Sequence, residues 1–481
     1  MKKFSKTELF ESVPVPRALA SLAIPTIISQ LINLIYNMVD AIFIGRTGNS
    51  FMAAATTVTL TLTMMNVAFS NLFGVGGGSL IARLMGVRRA DDARKVSAYA
   101  IRGCLILAAC YSLLVGLLLT PILRFLGASP ATLGYARQYA IIVIVIGSLP
   151  AIVSLTLSHL LRNAGWSSQA SLGLSLGGVL NIALDPLFMF VILPRGQEVT
   201  GAALATLISN LVSVSYLILA FRKAQKTAPL SLDLRKARGL DRGHVRSLYS
   251  VGVPSAVLTG LFDVASISVN KLAAAHNDLV LAAFGIVMKV ERIPNAVNIG
   301  LCQGMMPIVA YNFASGNRAR MKQAVHTARL YGLIISAVSI ALLEIFAKPM
   351  TNLFLSTAQK AADDPDAALQ MAKNAAQTVA FAALFLRIRA LASPVQFINY
   401  HSSFCMQAIG DGKATLLHAT VRELGFYIPM MHLLDRLFGQ NGLAAALPVG
   451  ELLGAIFALW LLHQALRRNP EADIRQSAET L

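Results

Sequence analysis

Charge is what this sequence has least of. Of its 481 residues, 13% are Asp, Glu, Lys or Arg while 56% are hydrophobic, against roughly 25% charged in soluble domains. A soluble chain of this length would divide into about three domains, but so apolar a surface would aggregate in water, so it must face lipid. Acids are scarcer still, with 23 Asp and Glu against 41 Lys and Arg and a formal net charge of +18. In a soluble protein that balance suggests nucleic acid; spread over alternate short loops, it suggests an anionic membrane surface instead.

Other absences narrow the field further. The four cysteines, Cys104, Cys110, Cys302 and Cys405, lie in apolar runs without CxxC spacing, so neither a disulfide framework nor a zinc site is implied. His159, His401 and His418 have no paired-ligand spacing. The Gly-rich run Gly74 to Gly78 lacks the Lys and Ser or Thr that follow a phosphate loop, which argues against nucleotide-driven transport and for close helix packing or a hinge. Lys2, Lys3 and Lys6 precede an apolar run that continues past Phe43 without an AxA-like cleavage site, and so read as the approach to an uncleaved first span.

What is present is long apolar runs. At 1.5 Å per residue a span needs about 20 residues, and twelve windows qualify: about 18–44, 52–78, 96–120, 135–160, 168–193, 200–221, 247–271, 279–309, 325–347, 377–405, 414–434 and 442–464. These are spans 1 to 12. Lys and Arg concentrate in alternate loops, from Lys2, Lys3 and Arg17 through Arg83 to Lys95, Arg222 to Arg246 and Arg318 to Lys322, ending with Arg467, Arg468 and Arg475. The opposite loops hold only scattered cations such as Arg46, Arg124, Lys348 and Lys360. Short cytoplasmic loops retain Lys and Arg, so both termini are expected in the cytoplasm.

The twelve windows divide into two copies of six. Ser21 to Pro25 recurs as Ser250 to Pro254 about 229 residues later; Asn71 to Gly78 then faces Gly300 to Pro307, and Gly201 to Thr206 faces Gly442 to Leu447. An even number of spans per copy places both in one orientation, related by a pseudo-two-fold axis along the membrane normal, which is a transporter architecture. The expected fold is all-α: residues 1–221 form the N-terminal lobe, 222–246 a cytoplasmic linker, 247–464 the C-terminal lobe and 465–481 a tail. Pro25 and Pro254, with Pro150 and Pro394, are expected to bend their helices.

Charged residues within spans cost about 2.5 to 3.5 kcal/mol each and are functional candidates by default. In the first copy Asp40 and Asp185 are the only acids well inside a span. Tyr36 precedes the first by one turn and Asn181 the second, so each pair shares a helix face. A carboxyl group removed from water holds its proton more readily, and such a group in the outer half of the bilayer suits exchange with the exterior. A helix-terminal role ahead of Pro186 is the alternative for Asp185.

The second copy holds Asp263, Lys289, Glu291, Arg292, Arg387, Arg389, Arg422, Glu423 and Glu451. They form either a buried ion-pair network or the polar wall of a cavity. Arg387 and Arg389, two residues apart, point to different faces of span 10. A guanidinium facing the cavity would repel organic cations and suit an anionic or zwitterionic substrate. Met305 and Met306 are candidates for an adaptable substrate surface, or for core packing.

Two segments carry a resemblance: Leu34-Ile-Tyr-Asn-Met-Val-Asp40-Ala-Ile-Phe-Ile-Gly45-Arg-Thr-Gly48, and Pro307-Ile-Val-Ala-Tyr311-Asn312 through Gly316-Asn317. With the rest of the chain they resemble the multidrug and toxic compound extrusion (MATE) family. That resemblance implies a secondary exporter of small amphipathic compounds, driven by an inward proton or sodium gradient, without cofactor or metal and without nucleic acid. The DinF-type branch is similar in its Asp in span 1, Asn-x-x-x-Asp in span 5 and Thr in span 6. The matching positions, Asp40, Asn181, Asp185 and Thr206, are therefore implied in cation coupling. The sodium-linked branch has a Glu in span 7 and an Asp in span 10, where this chain has Asp263 and two arginines, so a proton is the expected ion. The resemblance further implies a monomer in a bacterial inner membrane. A flippase of lipid-linked saccharides, an exporter of anionic metabolites and an intramembrane enzyme with an aspartate dyad stand as alternatives; the last lacks any GxGD-type motif.

Overall fold

A computed structural model describes residues 6–356 and 365–467, without the side chains of residues 6–7, 263, 353–356 and 365–369. Lys2, Lys3, Lys360, Arg468, Arg475 and the tail from 468 onward therefore lie outside the described residues. Among those described, every element is helical. Spans 1, 2 and 3 are Val15–Arg46, Ser50–Gly86 and Ala90–Leu117. Span 4 runs in pieces from Pro130 to Asn163, and spans 5 and 6 are Ser167–Ile192 and Glu198–Ala224. Spans 7, 8 and 9 are Arg242–His276, Asp278–Ala314 and Arg318–Ser356; span 10 joins Pro365–Ala390 to Ser393–Ile409.

The helix from Gly412 to Arg467 is 56 residues long, or about 84 Å at 1.5 Å per residue, more than twice the roughly 30 Å hydrocarbon core. It is two spans, 11 and 12, parted at Gly439, whose φ of 59° is left-handed. Span 8 carries Lys289, Glu291 and Arg292 within its apolar length. The molecule is thus a multi-pass membrane protein of twelve helices in two six-helix lobes.

Lipid leaves no water for stray polar groups, so the hydroxyls of these helices return to their own backbone. In span 2, Thr59 donates to the carbonyl of Thr56 at 2.9 Å and Thr63 to that of Thr59 at 3.3 Å. Two helices bend at matching places in the two lobes. Span 4 turns by 48° at Gly147 and span 10 by 52° between Ala390 and Ser393. Proline lacks an N–H and crowds the carbonyl four residues back; those carbonyls belong to Ile146 for Pro150 and Ala390 for Pro394, which places both bends. Pro25 and Pro254, by contrast, lie inside unbroken helices.

The lobes meet at the end of the bundle that carries the basic loops. There span 2 crosses span 7 and span 1 crosses span 8 with backbones touching. A Cβ on Gly76 would lie 2.4 Å from the Leu248 carbonyl oxygen, and one on Gly252 would lie 2.0 Å from that of Leu72. In the mirrored crossing, a Cβ on Gly300 would meet Ile27 Cα at 2.7 Å and one on Gly304 would meet Ala23 Cα at 2.5 Å. A hydrophobic cluster draws Leu19, Ala23, Val75 and Ala82 from one lobe together with Val251, Leu301, Met305 and Phe397 from the other.

The segment before span 1 completes this closure. In the helix Lys6–Glu11, Phe10 is fully buried and stacks on Tyr311 at 5.1 Å. The Phe10 carbonyl accepts from Arg320 Nε at 2.6 Å and Asn312 Nδ2 at 3.1 Å, and Tyr311 donates to Glu11. The linker after span 6 does not hang free: the Ser231 amide donates to the Ser97 hydroxyl of span 3 at 2.8 Å. Moving toward the far end, Asn71 donates to Thr259 and Gln30 to Gln303, both at 3.2 Å. On the far side of these two bonds, away from the basic end, no side-chain hydrogen bond joins the lobes among the described residues, and the cleft opens in that direction.

Overpacking a tight contact costs about 1 to 3 kcal/mol, so Gly252→Val should loosen the crossing. A Ser79→Cys reporter, at a position buried under the Gln407 carbonyl, should be protected from maleimide in a Cys110→Ser background and become reactive once Gly252→Val is added. Unchanged protection would contradict the backbone contact.

Candidate functional site

The N-terminal lobe builds its site from the meeting of spans 1, 5 and 6. Gly177 and Gly178 let span 5 press between the other two: Cβ atoms there would lie 3.1 Å from the Ser209 carbonyl oxygen, and 2.9 Å from Ile32 Cγ2 and 3.1 Å from Tyr36 Cδ1. One turn beyond this approach stands Asn181, and one turn further Asp185, both buried. Asn181 Nδ2 donates to Asp185 Oδ1 at 3.2 Å and to Thr206 Oγ1 at 3.4 Å. Asp40 enters from span 1, and the two aspartates and Tyr36 lie within electrostatic reach of one another. The structure thus brings together all five residues that the sequence nominates for coupling.

Tyr139 of span 4 joins them, buried and within reach of Asp40, Tyr36 and Asp185. Sequence reasoning missed it. Its helix carries no acid to mark it.

What distinguishes the cluster is an excess of acceptors. Asp40 Oδ1, Asp185 Oδ2 and Asn181 Oδ1 are buried without a hydrogen-bond partner among the described residues. A buried polar atom left unsatisfied costs roughly 1 to 3 kcal/mol, and two neighbouring carboxylates repel each other where water is excluded. A proton on one carboxyl turns an acceptor into a donor; a small hard cation would take the same oxygens as ligands. The arrangement can hold a positive charge and release it.

The C-terminal lobe buries charge in pairs. Glu291 of span 8 accepts from Arg389 of span 10 through two bonds, 2.7 and 2.8 Å, and Arg389 also donates to Tyr427 at 3.4 Å. Arg422 of span 11 is forked onto Glu451 of span 12, with one bond of 2.9 Å, and meets Glu423 at 3.5 Å. Asn399 donates to Glu451 at 2.6 Å and contacts His418 at 3.0 Å, while His418 meets Ser403 at 2.9 Å. His418 is therefore a link in a chain of polar contacts and not a lone ligand.

The expected cavity residues separate accordingly. Glu291, Arg292, Arg389 and Glu423 line one hollow together with Phe262, Met288 and Asn295. Two expectations are corrected. Arg387 faces away, beside Glu344 of span 9 at 3.5 Å, because its two-residue offset from Arg389 puts it on the opposite side of the helix. Met305 is fully buried in the interlobe cluster, 4.0 Å from Cys405 Sγ, and lines no cavity. Lys289 and Arg292 are exposed and meet no acid among the described residues. The Asp263 side chain lies outside the described residues.

The family model described as MatE matches residues 25–187 and again 254–433. The chain belongs to the MatE family. Its two matched segments begin 229 residues apart, the spacing at which Pro25 recurs as Pro254. Among similar MatE chains is the multidrug export protein MepA of Staphylococcus haemolyticus, 27% identical over 460 residues, covering 95% of this chain and 96% of that one. MepA of Staphylococcus saprophyticus is 28% identical, covering 94% and 95%.

Solved MatE structures share the fold. A MATE protein crystallised with MaL6 superposes with a TM-score of 0.87 at 21% identity, covering 96% of this chain and 99% of that one. An outward-facing multidrug resistance MATE transporter of the MOP superfamily gives 0.85 at 22%, covering 97% and 99%. A MOP superfamily transporter from Pyrococcus furiosus, for which reverse polarity of the binding pocket suggests different function, gives 0.86 at 21%, covering 97% and 100%.

Removing one partner of a buried ion pair strands the other, at a cost of about 3 to 5 kcal/mol. Glu291→Leu should therefore lower the melting temperature in detergent markedly, and adding Arg389→Met should recover most of the loss. If the double variant melts no higher than the single, the Glu291–Arg389 pair does not hold this lobe as described.

Proposed function

We propose that this MatE chain is a secondary active exporter of small amphipathic compounds, coupled to the inward movement of protons. The observation that carries this reading is a buried site with acceptors in excess beside a cleft that opens away from the basic end. The basic loops face the cytoplasm, both termini are cytoplasmic, and the described conformation is the outward-facing one, in the plasma membrane of a bacterium. Kinship with multidrug export proteins at 27 to 28% identity across nearly the whole chain supports amphipathic drugs as cargo.

The sequence of events follows from the two lobes. In the outward-facing state Asp40 and Asp185 exchange a proton with the exterior while cargo leaves the cleft. Protonation changes the hydrogen bonding of Asn181, Thr206 and Tyr36, and thereby how spans 1, 5 and 6 sit against one another. Span 1 carries that change to its crossing with span 8, where the basic-end closure is made. Opening that closure exposes the proton to the cytoplasm and lets new cargo enter.

Sodium is the second reading for the coupling ion. Two carboxylates, an amide and a hydroxyl form an all-oxygen set that a hard cation accepts. Purified protein in liposomes should move ethidium under an imposed pH gradient, and Asp40→Asn or Asp185→Asn should each reduce that movement at least about tenfold while leaving the protein folded. Ethidium movement unimpaired in both variants would remove the coupling assignment; movement driven only by a sodium gradient would replace the proton.

A further inference from the structure

The C-terminal wall of the cleft carries two cations that the ion-pair network does not use. Lys289 and Arg292 are both exposed within span 8, and neither meets an acid among the described residues. Glu291, between them in sequence, is committed to Arg389, while Glu423 and Glu451 are engaged by Arg422. A cation facing hydrocarbon would cost about 2.5 to 3.5 kcal/mol, so the direction in which these two point matters.

Helical periodicity fixes that direction. Eleven residues complete about three turns, returning a side chain to nearly the same face about 16 Å along the axis. Lys289 is eleven residues from Gly300, which packs on Ile27 of span 1. Arg292 stands at the same interval from Gln303, which bonds Gln30 of span 1 at 3.2 Å. Span 8 keeps helical geometry from Asp278 to Ala314 through Pro294, so by this periodicity the face that touches the N-terminal lobe below carries Lys289 and Arg292 above.

The opposite wall is amide-lined, and its one acid, Asp40, is partly buried one turn beyond Asn37. On span 1, Asn33 and Asn37 are exposed one and two turns beyond Gln30, and Asn37 Nδ2 is tied back to the Asn33 carbonyl at 2.6 Å. Asp185 is fully buried in its own lobe. Arg292, with Lys289 one turn before it on the helix, borders a hollow that is part apolar, with Phe262 and Met288, and part amide, with Asn295 and Gln396, and whose Glu291, Glu423 and Glu451 are already engaged by Arg389 and Arg422.

We propose that the cleft binds an amphiphile through a carboxylate, held by Lys289 and Arg292 together, with the apolar body against Phe262 and Met288. A guanidinium and an ammonium three residues apart on one helix face can grip both oxygens of such a group. An organic cation would meet repulsion at the same place. This assignment of cargo rests on the export reading above, and concerns which amphiphiles the site selects.

The test uses the full-length protein in liposomes, under a proton or a sodium gradient, with two fluorescent probes. Dansylglycine is an aryl carboxylate anion and ethidium a permanent aryl cation. Wild type should drive dansylglycine above the leak of protein-free liposomes. Lys289→Gln and Arg292→Gln should each reduce its transport about tenfold, Arg292→Lys should retain most of it, and ethidium transport should stay level or rise. Both positions are exposed, so the variants should purify and melt like wild type. Ethidium transport without dansylglycine transport, or dansylglycine transport indifferent to both glutamine variants, would overturn the carboxylate assignment alone. Failure of wild type to move either probe under either gradient would overturn the export reading and this one with it.

Discussion

Four glycines set the geometry on which everything else depends. Where Gly76 meets Gly252 and where Gly300 and Gly304 meet Ile27 and Ala23, the backbones of the two lobes approach too closely for any side chain. Between membrane helices there is little hydrophobic drive for association, so such contact supplies the packing that holds them. Both crossings lie at the basic end and are related by the internal repeat, so the lobes close there and diverge toward the other side. That divergence decides which polar residues meet water. Asn33, Asn37, Lys289 and Arg292 end up exposed, while Asp185 and the Arg422 network remain enclosed.

The lobes share an architecture and treat buried charge in opposite ways. In the C-terminal lobe, among the described residues, Glu291 has Arg389, and Glu423 and Glu451 share Arg422. Such a set is locked by mutual attraction, and changing it requires removing a charge entirely. The N-terminal lobe has Asp40 and Asp185 with Asn181 and Thr206 and no buried cation bonded to them among the described residues. A site with acceptors in excess responds to the arrival of a single proton, whereas a neutralised network does not. One lobe can thus take up a charge while the other stays neutralised beside it.

Much of this was legible in the sequence, because lipid imposes few solutions. Span length follows from bilayer thickness, and the repeat shows in the positions of Pro25 and Pro254. The carboxylate cluster was readable since Tyr36 with Asp40, and Asn181 with Asp185, are each one turn apart on a single helix. What the sequence hid depends on partners from different helices. Which arginine takes Glu291 is decided by the approach of span 10 to span 8, so Arg387 and Arg389 looked alike until one faced Glu344 and the other the interior. Tyr139 carried no signal because its neighbours Asp40, Tyr36 and Asp185 come from other helices. Met305 was open to both a substrate-surface and a core reading until the lobe crossing enclosed it. The free cations of span 8 became distinguishable only once Gly300 and Gln303 showed which face meets the other lobe.

The central claim is that the acceptor cluster in one lobe governs the closure between the lobes. It is tested most directly by the distance between spin labels at Val87 and Ser315, at the basic ends of spans 2 and 8, in a Cys110→Ser background in lipid nanodiscs. The account predicts a wild-type distance distribution that lengthens as pH falls and the cluster takes up its proton. With Asp40→Asn and Asp185→Asn combined, one distribution should persist at every pH. A pH response of the same size in the double variant would contradict the account, because the closure would then be governed from elsewhere.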